Sequence, residues 1–297
     1  MPNTLIHIAI QAPLSRALVP RVQIPWILLG LIIPDIPWIL QRIAVAGQFG
    51  DPYQMRLYFT SQASLLFCLV LSFTFALFAK RVFLVFSVLA LNNLLHLFLD
   101  AMQIKWGNGV HFFAPLSWTP THFDLLWPEH TLMYLLSVMG FFYLVKNITT
   151  ISLEDIAVNT SSMWKISCLC LGLYFLLPLF FMSHIIDSNA NYIAIKNTSS
   201  DRVGRIVELD RSYYSAKDST IALFTGEKVP VVGSLPPKSG IISIKGRFLD
   251  QKTIQSDAYH PHGSTRDYAS MAGLLFSSII WLTLLTRRFG KSRRSFD

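Results

Sequence analysis

The stretch VFLVFSVLALNNLLHLFLDAM, Val82–Met102, is long and apolar enough to cross a bilayer, yet it carries Asn92, Asn93, His96 and Asp100. Asn92, His96 and Asp100 recur at intervals of four, so on an α-helix they form one polar stripe on an apolar rod. Ionisable groups within a span are costly and face a cavity or a partner. His96 and Asp100, one turn apart, can reach a single cation. The other reading is a hydrogen-bonded pair that locks two helices together, and spacing alone leaves both open.

The chain around this stretch has the composition of an integral membrane protein. Of 297 residues 52% are hydrophobic and only 14% are charged, against roughly 25% charged in ordinary soluble domains. Disorder, a collagen-like repeat and a simple soluble enzyme are excluded. Further spans are expected at Ser64–Ala79, Leu132–Val145, Trp164–Met182 and Ser270–Thr286. Ile24–Val45 is another, interrupted by Pro25, Pro34, Asp35 and Pro37. Leu5–Val19 is short and contains His7, Gln11 and Arg16, which predicts a re-entrant or interfacial helix. No secretory signal peptide is expected, because a basic start, an uncharged core and a cleavage site are missing. Cys68, Cys168 and Cys170 lie in apolar runs and read as buried thiols, with no disulfide framework.

The formal charge of +8 is carried at the ends of apolar runs rather than in a nucleic-acid footprint. Lys80 and Arg81 occupy a tight turn, Lys146 and Lys165 flank a polar loop at 147–163 containing Glu154 and Asp155, and Arg287, Arg288, Lys291, Arg293 and Arg294 follow the last span. Placing all of these in the cytoplasm gives one consistent alternation. It puts residues 103–130 and 184–269 outside.

Residues 184–269 differ in kind from the rest. They hold eleven basic and nine acidic residues and short β-like runs at Tyr192–Ile195, Arg205–Leu209, Thr220–Phe224, Val229–Val232 and Ile241–Phe248. Turn residues such as Gly226, Gly233, Pro236, Pro237 and Gly240 separate them. The expected fold is therefore a mostly α, polytopic membrane bundle with one inserted, extracytoplasmic, OB-like β-barrel. Its parts are a core at 1–146, a cytoplasmic loop at 147–163, a helix at 164–183, the β domain at 184–269, and a helix with a basic tail at 270–297.

Asp35 sits in Gly30-Leu31-Ile32-Ile33-Pro34-Asp35-Ile36-Pro37-Trp38, where the prolines break the helix and aim the carboxylate. The inferred alternation brings Asp35, Asp100 and His7 to one depth near the outer face. Two histidines and two aspartates from three segments suit a divalent metal, with zinc the first candidate.

These residues also resemble a family. Asn3-Thr4-Leu5-Ile6-His7, the Gly30 to Asp35 segment, His96-Leu97-Phe98-Leu99-Asp100, Gly109-Val110 and Pro115-Leu116-Ser117 are similar, in order, to motifs of bacterial inner-membrane metal-dependent hydrolases. Those proteins are sometimes described as LexA-binding and are likened distantly to zinc-dependent phospholipase C. The resemblance covers roughly residues 1–145 and implies His7, Asp35, His96 and Asp100 as metal ligands. One position departs from the pattern. Within Thr60-Ser61-Gln62-Ala63-Ser64, Gln62 stands where the family has a histidine, and an amide carbonyl is a poor zinc ligand. The departure leaves open a weakened site, another metal or an inert one. The outer loop offers substitutes in His111, His122, Asp124, Glu129 and His130, beside an aromatic belt of Trp106, Trp118 and Trp127.

The expected chemistry is metal-assisted hydrolysis of a lipid or lipid-linked phosphate, with Asp35 or Glu129 as general base. The alternative is a non-enzymatic scaffold whose β domain binds an envelope protein partner; neither reading involves nucleic acid. Tyr259-His260-Pro261-His262, followed by Arg266-Asp267-Tyr268, closes the β region. With Val231 to Pro237 and Gly246-Arg247-Phe248, it is similar to the haem chaperone of cytochrome c maturation, which implies metal or haem binding at the two histidines.

Overall fold

The computed structural model describes residues 3–147, 161–196 and 202–293. Most of the expected cytoplasmic loop, with Glu154 and Asp155, and Arg294 of the basic tail lie outside the described residues. The helices are α1 (Thr4–Leu18), α2 (Ile24–Ile32), α3 (Ile36–Ala46), α4 (Pro52–Gln62), α5 (Leu65–Ala76), α6 (Val82–Ala101), α7 (Thr131–Asn147), α8 (Ser161–Leu176), α9 (Pro178–Ser188) and α10 (Ala190–Lys196). Five strands follow, β1 (Ile206–Ser215), β2 (Thr220–Ala222), β3 (Lys228–Gly233), β4 (Gly240–Phe248) and β5 (Ile254–Pro261), before α11 (Thr265–Arg293).

Four helical stretches among the described residues are long and apolar enough to cross a membrane: Ile24–Ala46, Val82–Ala101, Met163–Ser188 and Thr265–Leu284. A fifth crossing results if α4 and α5, bent by 66°, are one broken span. The outward faces fit that reading. Leu132, Leu135, Met139 and Phe142 on α7, Leu169, Leu176 and Phe180 on α8 and α9, and Met271, Leu275, Ile279 and Leu282 on α11 are all exposed. Their spacing makes continuous apolar stripes far larger than a soluble surface carries.

α1 starts at an Asn3 cap, whose side chain accepts from the Ile6 N–H, and Asn3 also donates to Ser137 Oγ of α7 at 2.8 Å. The helix is buried from Thr4 through Ile8 and again at Gln11, Ala12 and Ser15, packed between α7, α2, α11 and α6. A Cβ on Gly140 would stand 1.9 Å from the Leu5 carbonyl oxygen, and one on Gly273 would stand 2.7 Å from Thr4 Cβ. Missing side chains on α7 and α11 thus let α1 enter the bundle.

The strands close a barrel in the order β1-β2-β3-β5-β4, with β3 and β5 parallel and the other pairs antiparallel. Val207, Leu209, Ile221, Val229, Val231, Ile242, Ile244 and Ile254 fill it. Of the five β-like runs, Tyr192–Ile195 proves helical, lying in α10, while β5 went unanticipated. A four-residue apolar run is compatible with either state. Here Asn189 decides, because its side chain accepts from the Asn191 N–H and starts a turn of helix. The strands therefore occupy only Ile206–Pro261 of the expected 184–269 region.

Candidate functional site

Two polar stripes meet inside the bundle. His7, Gln11 and Ser15 on α1 face Asn92, His96 and Asp100 on α6, with the helices running in opposite directions. Ser15 Oγ donates to Asn92 Oδ1 at 3.1 Å. The Gln11 amide satisfies all its neighbours when its oxygen accepts from His7 Nδ1 at 2.7 Å and from the His96 backbone N–H at 3.2 Å. Its nitrogen then donates to the Asn92 carbonyl and side-chain oxygens at 3.0 and 3.2 Å. Of the α1 stripe, His7 and Gln11 stood out in the sequence, while Ser15 and the four-residue period joining the three did not.

Asp35 is delivered by the proline break, which forms a 3-10 turn at Ile33–Asp35. In such a turn the Leu31 carbonyl would be served by the N–H of residue 34, which is proline and has none. That carbonyl instead accepts from His96 Nδ1 at 2.8 Å. Both histidines therefore spend their Nδ1–H on a carbonyl oxygen and present an Nε2 lone pair. The rings stack with centroids 3.8 Å apart and planes 7° apart.

Those lone pairs point at carboxylates. His7 Nε2 lies 3.8 Å from Asp100 Oδ1, and His96 Nε2 lies 3.4 Å from Asp35 Oδ1 and 4.0 Å from Asp100 Oδ2. His7 Nε2, His96 Nε2, Asp35 Oδ1 and Asp100 Oδ1 are buried without a hydrogen-bond partner. Acceptors facing acceptors in a dry interior are unstable unless a cation or a proton lies between them. His7, His96 and Asp100 can each offer one donor atom with all three atoms within 4.8 Å of one another. Asp35 stands beside that trio.

Lys105, unremarked in the sequence, reaches Asp100 Oδ1 at 3.4 Å. Arg266, at the start of α11, lies within electrostatic reach of Asp100, Asp210 and Asp267. Gln62 donates to Tyr58 Oη at 3.2 Å and to the Tyr174 carbonyl at 3.1 Å, so its amide nitrogen serves α4 and α8.

The outer-loop candidates disperse. His122 and Asp124 pair with each other on the surface at 2.8 Å, and His130 accepts from the Leu132 N–H. His111 is buried beside Trp118, and burial pushes its imidazole down to about 4, against a smaller opposing hydrogen bond at Trp118. A histidine depressed in the folded state takes up its proton more readily when unfolded, so stability falls as pH drops from about 6.5 towards 4. The expected loss is on the order of 3 kcal/mol, full at and below pH 4. A His111→Phe variant, compared with wild type in thermal melts at pH 7.5 and 4.5, is expected to lose less stability on acidification.

Glu129 joins a second cluster, at the seam between barrel and helices. Its Oε1 faces His262 Nδ1 at 2.9 Å and its Oε2 faces His260 Nε2 at 3.3 Å. Arg211 Nη1 lies 3.4 Å from Oε1. Burial would raise the Glu129 carboxyl, but the facing His262 and His260 imidazoles and the Arg211 charge outweigh this and hold it below the usual range. All three of these partners belong to the barrel side, so among the two expected bases only Asp35 adjoins the histidines of the helical bundle.

Compared with known protein families, curated proteins and solved structures, the chain matches none.

Proposed function

We propose that the chain is a metal-dependent hydrolase of the bacterial inner membrane, acting at the outer face on a lipid or lipid-linked phosphate. One observation supports it above the others: four buried atoms of His7, Asp35, His96 and Asp100 face one another without a hydrogen bond, with the Lys105 ammonium beside Asp100 alone. The chemistry of this donor set fits a zinc-class cation, with His7, His96 and Asp100 as its holders. A cation held there supplies Lewis acidity towards a phosphoryl oxygen and makes water more acidic.

The chain's own residues do the rest. Gln11 and the Leu31 carbonyl fix the imidazole tautomers. Asp35, outside the ligand trio, receives a proton from the attacking water at Oδ1. Lys105 neutralises Asp100 at rest and supplies positive charge to an anionic headgroup. On this reading the OB-like barrel caps the outer mouth of the site. Gln62 is bypassed, because three ligands already come from α1 and α6.

Elemental analysis of purified wild type beside a His96→Ala, Asp100→Ala double variant tests the reading. About one equivalent of divalent metal per chain is expected to be lost in the variant. Equal metal in the two proteins would remove the hydrolase and leave a scaffold whose barrel binds an envelope partner.

A further inference from the structure

We propose that Glu129, His260 and His262 form a second divalent-cation site, which fastens the barrel to the helical body. Glu129 lies just before α7, while His260 and His262 sit at the end of β5, beside the start of α11. A cation held by all three therefore joins the loop before α7 to the end of the barrel across the seam.

The geometry suits the role. The three donor atoms lie within 4.8 Å of one another, and the distances from Glu129 to His262 and His260 are 2.9 and 3.3 Å. Donor atoms around a tetrahedral zinc are separated by about 3.4 Å. The glutamate and the two imidazoles retain 18, 25 and 0% side-chain exposure respectively for Glu129, His260 and His262, which leaves one side for solvent. Trp127 stacks on His260 with centroids 3.7 Å apart and planes 4° apart, holding that ring in place.

Proton counting supplies the stronger argument. Glu129, His262, Ser243 and Asp210 form a chain with three gaps: 2.9 Å from Glu129 to His262 Nδ1, 2.7 Å from His262 Nε2 to Ser243 Oγ, and 3.1 Å from Ser243 Oγ to Asp210 Oδ1. A neutral imidazole and a hydroxyl provide two protons for these three gaps. Ser243 gives its proton to the Asp210 carboxylate and accepts from the Arg211 backbone N–H at 3.1 Å. Its remaining lone pair takes His262 Nε2–H. His262 Nδ1 is then an acceptor aimed at a carboxylate oxygen 2.9 Å away, and a cation seated to one side of the pair, bound by both atoms, satisfies both.

The backbone is bent to build this support. β1 carries a bulge between Leu209 and Ser212, where Arg211 adopts φ of 50°, a conformation costly for a residue with a side chain. The bulge sets Asp210 towards Ser243 and Arg211 towards Glu129. Arg211 is anchored chiefly by Asp267 Oδ2 at 2.7 Å, and its longer approach to Glu129 is that of a hydrogen-bonded partner behind a ligating carboxylate.

Zinc titration of the chelator-treated full chain in detergent, read by competition with a chromophoric chelator, tests the proposal. The His96→Ala, Asp100→Ala variant serves as background, so the intramembrane cluster contributes nothing. One equivalent is expected to bind there, to raise the melting temperature, and to weaken at least about a hundredfold on adding His260→Ala. Glu129→Gln, which keeps size but turns one acceptor oxygen into an NH2 donor, is expected to weaken it comparably, with unchanged melting of the zinc-free variants separating lost ligation from misfolding. No zinc bound in that background, or binding unmoved by both His260→Ala and Glu129→Gln, overturns the proposal.

Discussion

Asp35→Asn is expected to keep its metal and lose about a thousandfold in kcat, close to 4 kcal/mol of barrier, in a lipid-phosphate hydrolysis assay. The amide is nearly isosteric with the carboxylate, so the 3-10 turn and the Leu31 bond to His96 are retained. What disappears is a basic oxygen 3.4 Å from His96 Nε2. The loss should fall on kcat with KM little changed, whereas a merely structural role would lower metal content and activity together. His96→Ala provides the contrast, since it should lose metal and activity together. Metal lost in Asp35→Asn would make Asp35 a ligand. Unchanged turnover would remove the assigned base, and with it the proposed mechanism.

The parts of this protein that were legible in its sequence are those set by local periodicity. The apolar runs and the Asn92–His96–Asp100 stripe needed only the helical repeat, and the prolines around Asp35 announced a break wherever it lay in space. Four of five β-like runs became strands because turn residues bounded them. The failures have two causes, a short-range side-chain turn in one case and distant partners in the others. Tyr192–Ile195 became helical through the Asn189 side chain. Ile254–Pro261 became a strand by pairing with β4 and β3, although its own polar residues, Gln255, Ser256 and Asp257, gave little hydrophobic signal. Lys105 and Glu129 were assigned roles, or passed over, by their positions in one loop. The fold sends the first to Asp100 and the second to the barrel histidines, more than a hundred residues away in sequence. No periodicity within the loop encodes that division.

Arg202 is the extreme case of a residue silent in sequence, and replacing it should produce the largest structural effect. It is fully buried, and all five guanidinium N–H groups have acceptors. Nε donates to the Ala194 carbonyl at 3.0 Å, Nη1 to Glu227 Oε1 at 2.9 Å and the Gln251 carbonyl at 3.2 Å, and Nη2 to the Ile195 carbonyl at 2.7 Å and Glu227 Oε2 at 2.8 Å. The side chain thereby satisfies carbonyls in the last turn of α10, grips the β2–β3 turn through Glu227, and lies over the Phe248 ring at 5.0 Å. Arg202→Ala removes every donor at once and strands the Glu227 carboxylate beside a void. An expected loss of about 3–5 kcal/mol follows from the void and the three backbone carbonyls left without donors, the Glu227 carboxylate being partly exposed. Arg202→Lys should recover little, because an ammonium offers three donors from one point where five are required along a planar fork. The two variants, compared by urea titration of barrel fluorescence and by hydrogen exchange of β2, β3 and α10, check this. Near-equal destabilisation of the pair would assign the stability to fork geometry, whereas rescue by lysine would assign it to charge alone.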